Sequence, residues 1–244
     1  MSGGTIRPLW GFWHIVVILA LSAAGWAVGG VLLAVVLLHS HLRTLSLSTA
    51  LSLTAMLYLV LYLSILVVIR SSGGWNDLGY RFPGWKTLLG VVAFLPAWYV
   101  ILAVVGLGSA FIINHGKPLP TNVNDLFGPA GIRGLGPGVI LLAFVVAAVV
   151  APIVEEALFR GVLYQWLRGR LGVFPAILLD GLLFASAHLI SGVAGLWKLL
   201  PLLFVMGCLL AATFQRTRSL FATMLLHGAN NALAIVALLV GLSR

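Results

Sequence analysis

The chain has 244 residues, 61% of them hydrophobic and 8% charged, with a net charge of +9. Globular domains carry about 25% charged residues, so a soluble fold is excluded. The 14 basic residues are spread through short loops with no run of like charges, which excludes a nucleic-acid-binding tail and fits the positive-inside asymmetry of membrane proteins.

Apolar stretches of about 20 residues are long enough to cross a hydrocarbon layer of roughly 30 Å. The expected fold is all-α: one integral membrane domain over residues 1–244, a polytopic transmembrane bundle of seven spans with room for an eighth. Arg7 precedes about 30 apolar residues, too many for a signal-peptide core, so a retained first helix is expected. It runs from roughly Trp10 to Leu38, with Trp10 and Trp13 as interfacial anchors. His39, His41 and Arg43 mark a polar turn before a second span from about Ser46 to Ile69. Arg70 to Trp85 reads as an interfacial link, and the third span covers about Leu88 to Ile113. His115 to Gly138, rich in Gly, Pro and Asn, reads as an exposed loop.

The fourth span begins near Val139 and runs to about Leu167, and Arg168, Arg170 and Gly172 form the following turn. The fifth is Phe174 to Ile190, with Pro175 in its first turn, where proline is tolerated. Ser191 to Gly195 connects to the sixth, Leu196 to Phe214. Arg216 and Arg218 form a basic turn before the seventh, Leu220 to Leu242. The lone Cys208 excludes an intramolecular disulfide. Alternating the spans puts Arg7, Arg70, Arg81, Lys86, Arg168, Arg170, Arg216 and Arg218 on one side. Arg43, Lys117, Arg133, Lys198 and Arg244 fall on the other. The imbalance predicts a multi-pass protein of the cell membrane with a cytoplasmic N-terminus.

The chemistry is expected where polar groups interrupt the apolar pattern, within residues 139–242. Only five residues are acidic, and two of them, Glu155 and Glu156, are adjacent in the fourth span. A carboxylate at membrane depth costs roughly 3 kcal/mol or more, so function is its default explanation. Glu156 and Arg160 are i,i+4 neighbours that can neutralise each other. Glu155 points about 100° away and has no partner on its own helix. In the fifth span Asp180, Phe184 and His188 share a face, as do His227 and Asn231 in the seventh. Asp180 is either a partner for Arg160 across the hairpin or a residue at the site edge, and Phe184 packs beneath the site. Glu155 lies 16 residues before Leu171 and His188 lies 17 after it. At 1.5 Å per residue both stand about 25 Å from that turn, so antiparallel helices would bring them level.

A carboxylate and an imidazole around one water can make it a nucleophile. A second imidazole and a carboxamide can stabilise an oxyanion. Glu155, His188 and His227 could also hold a divalent metal such as zinc as a His₂Glu set, although no H-E-x-x-H motif is present.

The ordered pattern Glu155-Glu156-x-x-x-Arg160, Phe184-x-x-x-His188, His227-x-x-x-Asn231 resembles the CPBP family. These are the CAAX protease and bacteriocin-processing (Abi) intramembrane proteases. Phe204-Val-Met-Gly207 and Thr217-Arg-Ser-Leu220 are similar to the rest of its signature. Ala211 departs from it, where a glycine is common. The resemblance implies an endopeptidase in which Glu155 activates water with help from His188. It implies that His227 and Asn231 stabilise the oxyanion and that Glu156 and Arg160 support them. Both a metalloprotease and a metal-free glutamate mechanism have been attached to the family, and the residues leave that choice open. The expected partners are the lipid bilayer and a peptide or lipidated protein, either a prenylated CAAX-type C-terminus or a bacterial peptide or membrane protein. Two other classes compete: a proton-coupled transporter with Glu155, His188 and His227 as its relay, and a catalytically silent immunity or partner protein. The absence of an internal repeat counts against the transporter.

Overall fold

The computed structural model describes residues 8–40, 46–117, 119, 135–189 and 196–240. Seven helices account for nearly all of these: α1 (Phe12–Ser40), α2 (Leu47–Ser71), α3 (Trp85–Ile113), α4 (Pro137–Leu171), α5 (Val173–Leu189), α6 (Leu200–Thr217) and α7 (Leu220–Val240). Six stretches are long and apolar enough to cross a membrane, and α5 is a shorter apolar helix. The chain is thus an all-helical, multi-pass membrane protein, with helix limits close to those read from the sequence. Most of the expected 115–138 loop and the links at 41–45 and 190–195 lie outside the described residues.

Local chemistry sets the breaks. Ser46 caps α2, its hydroxyl accepting from the Thr49 amide at 3.2 Å. Gly172, at φ 83°, allows α5 to start one residue after α4 ends. Arg218, left-handed at φ 53°, turns the chain from α6 into α7, and the Leu220 amide pins that turn on the Gly79 carbonyl at 2.9 Å.

The burial pattern follows the solvent. Phe111 and Ile112 are 78% and 76% exposed on the lipid-facing surface, while Glu156, Arg160 and Asp180 are completely buried. Between α5 and α6 the backbones touch. A Cβ on Gly207 would stand 2.8 Å from the Gly181 Cα, and one on Gly181 would stand 2.9 Å from the Phe204 carbonyl oxygen. Small residues at such crossings substitute for a hydrophobic driving force that lipid does not provide.

Two features depart from expectation. Trp10 is not an interfacial anchor: it is buried, and its indole N–H donates to the Val162 carbonyl at 3.1 Å. A tryptophan this deep needs an acceptor for its one polar atom. Trp98 is buried as well, whereas Trp13 is exposed as expected. The second feature is α4, whose α-helical centre (Ala151–Glu156) is flanked by two π-helical stretches, Val146–Val150 and Ala157–Tyr164. Such widened turns are rare and concentrate at functional sites.

The α5–α6 contact gives a direct test. Gly207→Ala should destabilise the protein by about 1–3 kcal/mol through overpacking against Gly181. Gly108→Ala, in open space on α3, should be neutral or slightly stabilising. Thermal unfolding in detergent measures both.

Candidate functional site

Helices α4, α5 and α7 bring the sequence-derived residues to one place. Glu156 and Arg160 form the expected i,i+4 pair, Nη1 to Oε1 at 2.9 Å, with both side chains fully buried. The same guanidinium faces Asp180 Oδ2 at 3.5 Å through Nε, and its Nη2 donates to the Gly207 carbonyl at 3.0 Å. Asp180 is therefore the Arg160 partner across the hairpin, not a site-edge residue. The guanidinium also lies over the Phe184 ring, 4.7 Å from its centroid. One arginine thus holds α4, α5 and α6 together.

Helices α4 and α5 run antiparallel as a hairpin. Phe159, one turn after Glu155, meets Phe184, one turn before His188, with ring centroids 5.2 Å apart. That contact joins the turn of α4 after Glu155 to the turn of α5 before His188. Phe184 also lies against both imidazoles, at 4.8 Å from His188 and 5.6 Å from His227 between centroids.

Each imidazole has its proton position fixed by its partner. His188 Nδ1 stands 2.8 Å from the Phe184 carbonyl, an atom that only accepts, so Nδ1 carries hydrogen and Nε2 the lone pair in the neutral ring. His227 Nδ1 stands 2.9 Å from Glu156 Oε1, so it donates to a carboxylate that Arg160 also binds. His227 Nε2 then lies 3.8 Å from Glu155 Oε2. Glu155 Oε2 is shielded and has no hydrogen-bond partner, and it faces the edge of the His227 ring.

Asn231 is engaged by the backbone. Ala151 donates to the Val146 carbonyl in the i→i+5 pattern of the first π stretch. The next donor in that pattern would be residue 152, which is proline and has no N–H. Its acceptor would be Ala147 O, and Asn231 Nδ2 donates to that atom at 2.8 Å. Gly228, one turn earlier on α7, packs on the next carbonyl, where a Cβ would stand 2.6 Å from Ala148 O. Asn231 thus replaces the hydrogen bond that Pro152 removes, with a second amide proton left over.

Sequence reading missed Tyr58. Its hydroxyl, on α2, donates to Glu155 Oε1 at 2.5 Å. The signal was available: a phenol deep in an apolar span needs an acceptor, and Glu155 was the acid without a partner on its own helix.

Among the described residues no three His, Cys, Asp or Glu side chains converge in a ligating arrangement, Glu155, His188 and His227 included.

Two stability tests follow from this geometry. Arg160→Ala should cost about 3–5 kcal/mol, because it strands buried carboxylates. Asn231→Ala should cost about 1–3 kcal/mol by orphaning the Ala147 carbonyl. Adding Pro152→Ala, which restores an N–H, should return part of that loss. Melting of the single and double variants in detergent reads each value.

Residues 137–233 match the family model described as type II CAAX prenyl endopeptidase, Rce1-like. No curated protein and no solved structure matches the chain. The matched segment runs from the first turn of α4 into α7 and carries Glu155, Glu156, Arg160, Phe184, His188, His227 and Asn231. The similarity covers residues 137–233 of the chain, and it is to the kind of protease that the motifs resemble.

Proposed function

We propose that the chain is an intramembrane endopeptidase in which Glu155 is the general base and no step passes through a metal. The observation that carries this reading is Glu155 itself. One oxygen is held by Tyr58, and the other is shielded, unpartnered and turned toward His227.

In this reading a water is held by Glu155 Oε2 and the lone pair on His188 Nε2. Glu155 takes one proton as the water oxygen bonds to the scissile carbonyl carbon. The carbonyl electrons move onto oxygen, which faces the Nε2 edge of the His227 ring. The remaining amide proton of Asn231 is a second donor. When the oxyanion collapses, the C–N bond breaks and Glu155 returns its proton to the leaving amine. Glu156 accepts from His227 Nδ1 throughout and keeps its ring aimed, and Arg160 holds Glu156 in place.

The substrate is proposed to be a peptide whose C-terminal region carries an isoprenoid. Such a chain partitions into hydrocarbon and brings the scissile bond to the depth of the buried cluster. We place the N-terminus on the cytoplasmic side because the basic residues concentrate at that end.

Cleavage of prenylated and plain peptides by the protein in detergent or nanodiscs tests the reading. Glu155→Gln should lower kcat by about 10²–10⁴-fold. Tyr58→Phe should lower it by about ten-fold, the scale of one hydrogen bond to a charged group. A metal chelator should leave the wild-type rate unchanged. Undiminished cleavage by the Glu155→Gln protein would overturn the assignment of the base.

A further inference from the structure

At the opposite end of α4 from its proline N-terminus, three arginines converge from three parts of the chain. Arg168 lies in the last turn of α4, Arg218 is the left-handed residue between α6 and α7, and Arg81 precedes α3. The backbone around them is braced. Arg81 Nε donates to the Arg218 carbonyl at 2.6 Å, and the Ser219 hydroxyl donates to the Arg81 carbonyl at 2.5 Å.

The guanidinium groups of Arg168 and Arg218 are not similarly satisfied. Arg168 Nε and Arg218 Nη1 are shielded from solvent and have no hydrogen-bond partner. Among the described residues no carboxylate comes within 4.0 Å of Arg81, Arg168 or Arg218. Burial first, and then the neighbouring charges of Arg168 and Arg81, hold Arg218 below the usual arginine range, while Tyr164 opposes this. The Tyr164 hydroxyl itself is spent on Gln215 at 2.8 Å.

Like charges placed side by side with shielded donors are costly unless an anion joins them. Membrane topology does not require this arrangement, because Arg216 and Arg170 satisfy the positive end while exposed. A guanidinium pair at a helix end suits the planar, bidentate recognition of phosphate.

We propose that Arg168 and Arg218, with Arg81 beside them, form a binding site for a phosphate group, supplied by an acidic phospholipid headgroup or by free phosphate. Such an anion ties the end of the helix that carries Glu155 to the start of the helix that carries His227. The site does not depend on the peptidase reading, and binding can be measured without any substrate.

The test is lipid retention by native mass spectrometry, with melting in nanodiscs of phosphatidylcholine alone or mixed with phosphatidylglycerol. The wild type should retain phosphatidylglycerol at least ten-fold over phosphatidylcholine and melt higher in the mixed discs. Arg168→Gln should weaken retention about five-fold or more, the scale of one basic residue at an anionic surface. Arg218→Asn, which accepts the left-handed backbone, should do the same, and Arg216→Gln should behave as wild type. If millimolar inorganic phosphate in phosphatidylcholine discs raises the melting point of the wild type and not of Arg168→Gln, free phosphate is the source. Retention unchanged in Arg168→Gln, or lost equally in Arg216→Gln, would overturn the site in favour of diffuse surface charge.

Discussion

The arrangement depends on one oxygen atom, Glu156 Oε1, which accepts from both Arg160 and His227. Arg160 continues the network to Asp180 on α5 and to the Gly207 carbonyl on α6. Four helices are therefore joined through one buried polar unit inside an otherwise apolar bundle. Lipid surrounds such a bundle with a medium as apolar as leucine, so hydrophobic burial does little to choose among helix packings. Buried ionic groups bring little net stability, but they penalise every packing that leaves a member unpaired. Here the packing with all members joined is the one that presents His227 Nε2 to Glu155.

A second constraint works through the backbone. Widening α4 into π-helical turns before Ala151 and after Glu156 interrupts the regular i→i+4 ladder on either side of the glutamates. Pro152 deletes one more donor within it. Helix α7 meets this region with Asn231 on the Ala147 carbonyl and with Gly228 close against Ala148. Two turns of α7 thus lie directly on the α4 backbone, with His227 next to Gly228. The distance from His227 to the glutamates is fixed by main chain rather than by flexible side chains.

Much of this was legible in the sequence because it depends on helical phase and chain length. The i,i+4 spacing of Glu156 and Arg160 forced their pairing. Helix limits followed from Ser46, Pro175 and the glycines. What stayed hidden depends on tertiary contacts. Whether Pro152 leaves its carbonyl bare or covered is decided by α7, some 80 residues later. The π-helical turns leave no periodicity of their own in so uniformly apolar a stretch. Trp10 reads as an ordinary interfacial aromatic until its partner, the Val162 carbonyl, appears.

Gly172 alone, at φ 83°, separates α4 from α5. A hinge of one residue leaves no slack for either helix to slide along the other. The two therefore enter the bundle as a preformed hairpin, and a shift in the depth of one is handed on to its mate.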